Sequence, residues 1–331
     1  MRIFTFIFIL LILSLLGCYF HLITGSWEIS LQDICQECWN GLWGQNKSNV
    51  FLVVWGSRLP RFLVGFFVGA SLSVAGCIMQ AIFQNPMASP GVMGASSAGI
   101  FGAVLCLSIG LVQWLPLFAI LASLLSLLFV YMLALSMGRL SVVSLLLIGM
   151  AISLFFSSVV TFIITISLHD WEVGRNILSW TLGELTDRRW EHVYIILPCF
   201  FIGLAIIIYF LRDLDLLVHG EEMAMNLGVS VSTSRFYLLL ASSILTGGAV
   251  GVAGMIGFVG LIIPHLARYF VGNGHHKLVF ASALLGGSFL VYCDLFVRIF
   301  SQWDLRMGTV TGMLGAPYFI FLILKNQQNQ T

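Results

Sequence analysis

Apolar runs long enough to cross a bilayer follow one another along nearly the whole chain, and the plainest lies between Phe62 and Phe83. A helix needs about 20 apolar residues to pass through the hydrocarbon core. Ahead of this run stand Arg58 and Arg61 around Leu59 and Pro60. Behind it comes Gln84-Asn85-Pro86-Met87-Ala88-Ser89-Pro90, with two prolines that cannot continue a helix and no charge. The stretch is therefore an entry, a crossing and a short turn at one membrane face. Inside it Gly69, Ser73, Gly76 and Gln80 recur at steps of three or four, which gathers small and polar groups on one face. Such a face either lets another helix come close, the commoner use in membrane helices, or borders a water-filled path.

Hydrophobic residues make up 59% of the chain and charged residues 9%, against about 25% charged in an ordinary globular domain, so no water-soluble surface is available. The net charge of +1 argues against a nucleic-acid partner, and the apolar runs are too long for the alternating strands of an outer-membrane barrel. The expected fold is all-α, a polytopic membrane helix bundle of about ten transmembrane helices forming one domain over residues 1–331. The spans are read at about 3–24, 58–82, 94–112, 115–136, 143–167, 193–211, 235–255, 256–271, 278–300 and 307–325.

The first run, behind Arg2, is too long for a signal peptide and lacks an A-x-A-like exit, so it reads as a retained span; Leu15-Leu16-Gly17-Cys18 imitates a lipoprotein cleavage site only loosely. The polar stretch after it carries Trp27, Trp39, Trp43 and Trp55, an interfacial belt. Of seven cysteines, most sit in apolar runs as small hydrophobes, and only Cys35 and Cys38 share a polar loop. That pair is open to a disulfide or half a metal site, with a structural or incidental role favoured because no second pair stands nearby. The fifth span places Gly149, Ser153, Ser157, Thr161 and Thr165 at every fourth position, for packing or for lining a path; a step of four overshoots the helical turn, so the stripe winds slowly. Residues 168–192 are amphipathic and lie at the surface. Phe236 to Val271 is a predominantly apolar run of 36 residues, too long for one span and short for two straight ones, and Pro264-His265 marks the expected break. Asp294 and Arg298, four apart on the ninth span, are placed to pair with each other.

The motifs RLPR, GASLSVAG and QNPMASPGVMG, then Gly220-Glu221-Glu222-Met223-Ala224 with Leu227-Gly228, GFVGLIIPHLAR from Gly257 and GTVTGMLGAPYF from Gly308 stand in an order that resembles one family. It is the permease subunit of type II ATP-binding-cassette importers, which move iron-siderophores, haem and cobalamin inward; the resemblance covers nearly everything after Arg58 and implies a cobalamin-permease-like bundle. It implies a transport subunit, not an enzyme, with no cofactor or metal of its own. The implied partners are a second copy of the chain, two cytoplasmic ATP-binding subunits, a periplasmic or lipoprotein substrate-binding protein, and membrane lipid. It also implies the inner membrane with both termini cytoplasmic. Charge alone does not orient the chain, because Arg2, Arg139, Arg212, Arg235, Arg268, Lys277 and Lys325 fall on one face and the other eight basic residues on the other.

Other function classes fare worse. The chain has no G-x-x-x-x-G-K-[ST] phosphate loop, so any ATP is hydrolysed elsewhere. An ion-coupled secondary transporter needs mid-membrane carboxylates, and only Asp294 is a candidate. A membrane enzyme needs a clustered catalytic set such as H-E-x-x-H, which is absent. A weak small-residue likeness between 65–76 and 244–254 fits an inverted repeat.

Residue by residue, the resemblance implies that Arg58, Arg61 and Arg298 ring an outer mouth and receive acidic residues of the binding protein. It implies that Ser153, Ser157, Thr161 and Thr165 line the path on a dimer axis. Asn85, Met87, Val142 and Val143 would narrow the cytoplasmic exit, although relatives can carry hydroxyl residues where these valines stand. The segment 214–228, with Glu221, Glu222, Ala224 and Gly228, would dock in the ATPase. The substrate expectation is an iron-siderophore first, then haem, cobalamin or molybdate.

Overall fold

A computed structural model describes residues 2–25, 29–30, 32–33, 36, 39, 48–136, 141–167, 171–303 and 305–328. Cys35, Cys38, Trp27 and Trp43 lie outside the described residues. The helices are α1 (Arg2–Ile23), α2 (Leu59–Ile82), α3 (Ala95–Ser108), α4 (Leu115–Ser136), α5 (Val142–Ser167), α6 (Trp171–Thr181), α7 (Trp190–Tyr209), α8 (Leu211–Leu217), α9 (Glu221–Asn226), α10 (Val231–Ala253), α11 (Val259–Val271), α12 (His275–Ile299) and α13 (Met307–Gln328). A short turn, Asn49–Val53, runs through the π-helical segment Val54–Arg58 into α2. Among the described residues seven helical segments are long and apolar enough to cross a membrane, and α3 and α11 are shorter apolar helices. The chain is an all-α membrane bundle.

The centre of the bundle is α2 and α10, each with 78% of its most apolar stretch buried, against 11% for α5. Close packing of small residues puts them there. A Cβ on Gly69 would lie 2.2 Å from the Gly286 carbonyl oxygen, and one on Gly76 would lie 1.7 Å from that of Gly260. The small-residue face of α2 is thus a packing face toward α12 and α11, where backbones meet. Contacts of Arg61 with Asp294 and of Phe66 with Gly287 make α2 and α12 antiparallel. Likewise, α10 runs against α4, from Gly251 beside Pro116 to Ser232 beside Tyr131.

The long apolar run divides at Gly254–Phe258, where the spans read at 235–255 and 256–271 meet, but the break expected at Pro264-His265 does not occur, and Pro264 sits inside α11. A proline there lacks the N–H that would reach the Gly260 carbonyl one turn back. That same oxygen is the one pressed against Gly76, so the missing hydrogen bond coincides with a close interhelical contact. The real break is made by Gly254 (φ 69°) and by Phe258, held at φ 66°. Gly94 (φ 78°) plays the same part ahead of α3. Each of the two central helices is therefore followed by a turn and a short helix that begins from a left-handed residue.

Candidate functional site

One end of the bundle gathers arginines around the end of α1. The last carbonyls of a helix lack intrahelical donors and carry the negative end of its dipole, so cations collect there. Arg298 Nη1 donates to the His21 carbonyl at 3.0 Å, and Arg58 Nη1 donates to the carbonyls of Leu22 and, at 2.9 Å, Ile23. Asp294, 1% exposed, accepts Arg61 Nε and Nη2 at 2.8 Å each and lies 2.8 Å from His21 Nε2. Gly25 closes the cluster, since a Cβ there would sit 2.6 Å from Arg298 Nη2 and 2.8 Å from Arg58 Nη2.

This corrects the expected pairing of Asp294 with Arg298. An i,i+4 pair on one helix contributes only about 0.2–0.5 kcal/mol, whereas the planar fork of Arg61 meets both carboxylate oxygens at once. The three arginines expected at the mouth do come together, but with partners inside the chain. Arg58 is 2% exposed, the Arg61 side chain 14%, and Arg298 is half-buried. His21 had no sequence signal beyond its place at the end of an apolar run.

Beside this cluster, Arg188 stacks over the Trp180 ring at 4.8 Å, Trp190 Nε1 donates to the Trp55 carbonyl at 2.8 Å, and Arg306 pairs with Glu184 at 2.6 Å. Burial pulls the Arg188 pKa down to about 10, partly offset by Glu184 and Asp187. A cleft of about 490 Å³ opens here, lined by Asp187, Arg188, Arg189 and Trp190.

The hydroxyl stripe of α5 splits in two. Ser153 Oγ donates to the Gly91 carbonyl at 2.8 Å and tethers the turn before α3. Ser157, Thr161 and Thr165 lie on the exposed face, where Thr161 and Thr165 bond back to the carbonyls four residues earlier at 2.9 and 2.8 Å. Such internal bonding leaves a mildly polar, uncharged wall. Two of the four expected gate residues, Asn85 and Val142, line different clefts. Asn85, whose Oδ1 accepts the Met87 N–H at 2.9 Å, lines one of about 670 Å³ with Gln80, Asp215, Arg268 and His275; Val142 lines another of about 650 Å³ with Glu221 and Arg235. Met87 and Val143 are 47% and 63% exposed.

At this opposite end α8 and α9 form a two-helix step between α7 and α10. Ala224 is fully buried and faces the bundle, Gly228 turns the chain at φ 83°, and Glu221 bonds inward to Arg235 at 2.5 Å. Outward stand Glu222, Met223, Met225 and Leu227. The expected contact set is thus divided, with Ala224 and Glu221 seating the step and the two methionines forming its outer face. Among the described residues no group of His, Cys, Asp and Glu side chains is placed to hold a metal ion.

A family model, the FecCD transport family, matches residues 9–325. The chain belongs to this family. It is 36% identical to the Fe(3+)-citrate import system permease protein YfmD of Bacillus subtilis, over 96% of this chain and 94% of the relative. It is 37% identical to the cobalamin import system permease protein BtuC of Halobacterium salinarum, over 82% and 73%. A solved structure of a metal-chelate type ABC transporter in an inward-facing conformation superposes with a TM-score of 0.85 at 29% identity, covering 98% of this chain and 99% of that one. As a FecCD member, the chain is a permease subunit of an ATP-binding-cassette importer, a multi-pass protein of the inner membrane that works with ATP-binding and substrate-binding components.

Proposed function

We propose that this permease carries a metal chelate, an iron-siderophore before haem, cobalamin or molybdate, from a substrate-binding protein into the cytoplasm. The observation that carries the reading is the division of labour between the two ends, within a family whose relatives include iron-citrate, hydroxamate and hemin permeases. One end concentrates guanidinium groups, suited to the carboxylates of a docking protein. The other presents an apolar step for a cytoplasmic ATPase. On this reading the arginine end faces outward, both termini are cytoplasmic, and two copies meet across the exposed face of α5, with Ser157, Thr161 and Thr165 toward the shared path and Ser153 holding the turn behind it. Arg61 and Arg298 are the first docking contacts, and Arg58 follows only if α1 gives way. Asn85, Met87, Val142 and Val143 narrow the exit, and residues 214–228 meet two ATP-binding subunits. The path needs no charged group, because a mildly polar wall lets a bulky chelate pass without trapping it.

The test is reconstitution in liposomes with the ATP-binding and binding-protein subunits, offering labelled ferric citrate, ferric hydroxamate, hemin and cobalamin separately. Uptake of an iron chelate that needs internal ATP and the binding protein is expected. Uptake driven by a proton or sodium gradient without ATP would replace this reading with a secondary transporter, and ATP-driven uptake of cobalamin alone would replace the substrate.

A further inference from the structure

The proposed coupling step is held to the bundle on two sides: α8 is tied to α12, where the His275 backbone N–H and Nδ1 meet Asp215 Oδ1 at 3.1 and 2.6 Å, and to Gln84, which donates to the Leu217 carbonyl at 3.0 Å, while α9 is tied to the start of α10. Helices α8 and α9 have 7 and 6 residues, too short to hold themselves. They are joined through Gly220 at φ 118° and left through Gly228 at φ 83°, so the backbone at both ends is easily bent. Their orientation comes from outside. Ser234 Oγ donates to Asp213 of α8, and Arg235 Nη2 donates to Glu221 Oε1 of α9 at 2.5 Å. Two consecutive residues of α10 thus grip both short helices, with Ala224 seated between in the core.

The two grips differ in kind. The Arg235 side chain is 3% exposed and Glu221 is 43% exposed, so a buried guanidinium reaches outward to a surface carboxylate. Charge-assisted bonds of this sort are stiff and directional, while the apolar contacts around Ala224 allow sliding. Beside them lies the cleft of about 650 Å³ bounded by Arg235, Glu221, Met225 and, across it, Val142 at the start of α5. A shift of α9 into that space drags the Arg235 end of α10, one of the two most buried helices, whose other end runs into the Gly254–Phe258 break.

We infer that Arg235, through Glu221, is the positioning residue that transmits movement of the α8–α9 step into α10. The inference rests on the coupling reading of this step. It assigns Glu221 to the joint inside the permease, not to contact with the ATPase, which falls to the exposed Met223 and Met225.

The experiment uses the permease assembled with its ATP-binding subunits and binding protein, comparing Glu221→Gln, Arg235→Lys and the exchanged pair Glu221→Arg with Arg235→Glu. In Glu221→Gln the ATP-binding subunit still copurifies, while the ratio of binding-protein-stimulated to unstimulated hydrolysis falls about tenfold, a typical coupling between distant sites. Arg235→Lys retains most of the ratio, and the exchanged pair regains a large part of it. A merely structural role would instead lower thermal stability and copurification together, with no recovery on exchange. An unchanged ratio in Glu221→Gln overturns the proposal, as does loss of the ATP-binding subunit from that variant, which would make Glu221 a contact. If that subunit fails to bind the unaltered permease, the coupling reading falls and this inference with it. The exchanged pair decides the matter should the Arg235 variant fold poorly alone.

Discussion

Removing the Asp294 carboxylate should expose how the arginine end is held together. Asp294 is 1% exposed and accepts two hydrogen bonds from Arg61 and one contact from His21, all at 2.8 Å. Bonds to a charged group contribute about 1.5–3 kcal/mol each, and losing one member of a buried pair costs about 3–5 kcal/mol because the other charge stays behind. With its side chain 14% exposed, Arg61 has a short way to reach water, so Asp294→Leu should fall near the lower bound, about 3 kcal/mol. Replacing both, Arg61→Met with Asp294→Leu, removes the stranded charge, and the double variant should lose only about 1 kcal/mol. A double-mutant cycle, read from unfolding of the purified permease in mixed micelles, should therefore give an interaction of at least about 2 kcal/mol. The same cycle with Arg298→Met in place of Arg61→Met should give a few tenths, since Arg298 holds the His21 carbonyl. Additive losses for Arg61 and Asp294, or a larger coupling to Arg298, would refute the arrangement and restore the i,i+4 pairing.

Gly76→Ala should destabilise by about 3 kcal/mol or more, because its Cβ would enter the Gly260 carbonyl at 1.7 Å, whereas Gly312→Ala, with nothing within 4 Å, should be neutral; thermal aggregation in detergent reads both. At Phe258, held at φ 66°, Gly should be more stable than Ala by about 1 kcal/mol, the reverse of their usual order, and equal stability would mean the left-handed turn carries no strain. On the exposed face of α5, Ser157→Cys and Thr161→Cys should react with polar thiol reagents in at least one nucleotide state, and inertness in every state would make the stripe a packing surface.

The helices were legible because a bilayer leaves the chain few choices: a run of about 20 apolar residues has to satisfy its backbone internally and does so as a helix. The pairing of polar groups was not legible. Arg61 and Asp294 are 233 residues apart in sequence, and only the antiparallel packing of α2 on α12 brings them together. The proline at 264 misled because it removes one hydrogen bond without ending α11, and the Gly260 carbonyl left by it is packed closely against Gly76. Glu221 and Ala224 stand in one motif, yet a motif says nothing about which way a side chain points, and one faces Arg235 while the other is buried in the core.

The break at Gly254–Phe258 and the turn before α3 deserve to be considered as one device. Both follow a central helix, both end in a left-handed residue, and both open a short helix, of 13 and 14 residues, that is too short to span alone. They touch: Pro90 Cδ lies 3.2 Å from the Cβ position of Gly260. Ser153 of α5 then bonds the carbonyl of Gly91, so the α5 stripe is linked through one turn to the other. Irregular backbone in a membrane protein is tolerated where protein or a water-filled cavity meets its polar groups, and these two turns are covered by each other and by α5. The two turns and α5 are thus joined through Gly260, Pro90, Gly91 and Ser153, a chain of contacts in which no member is charged.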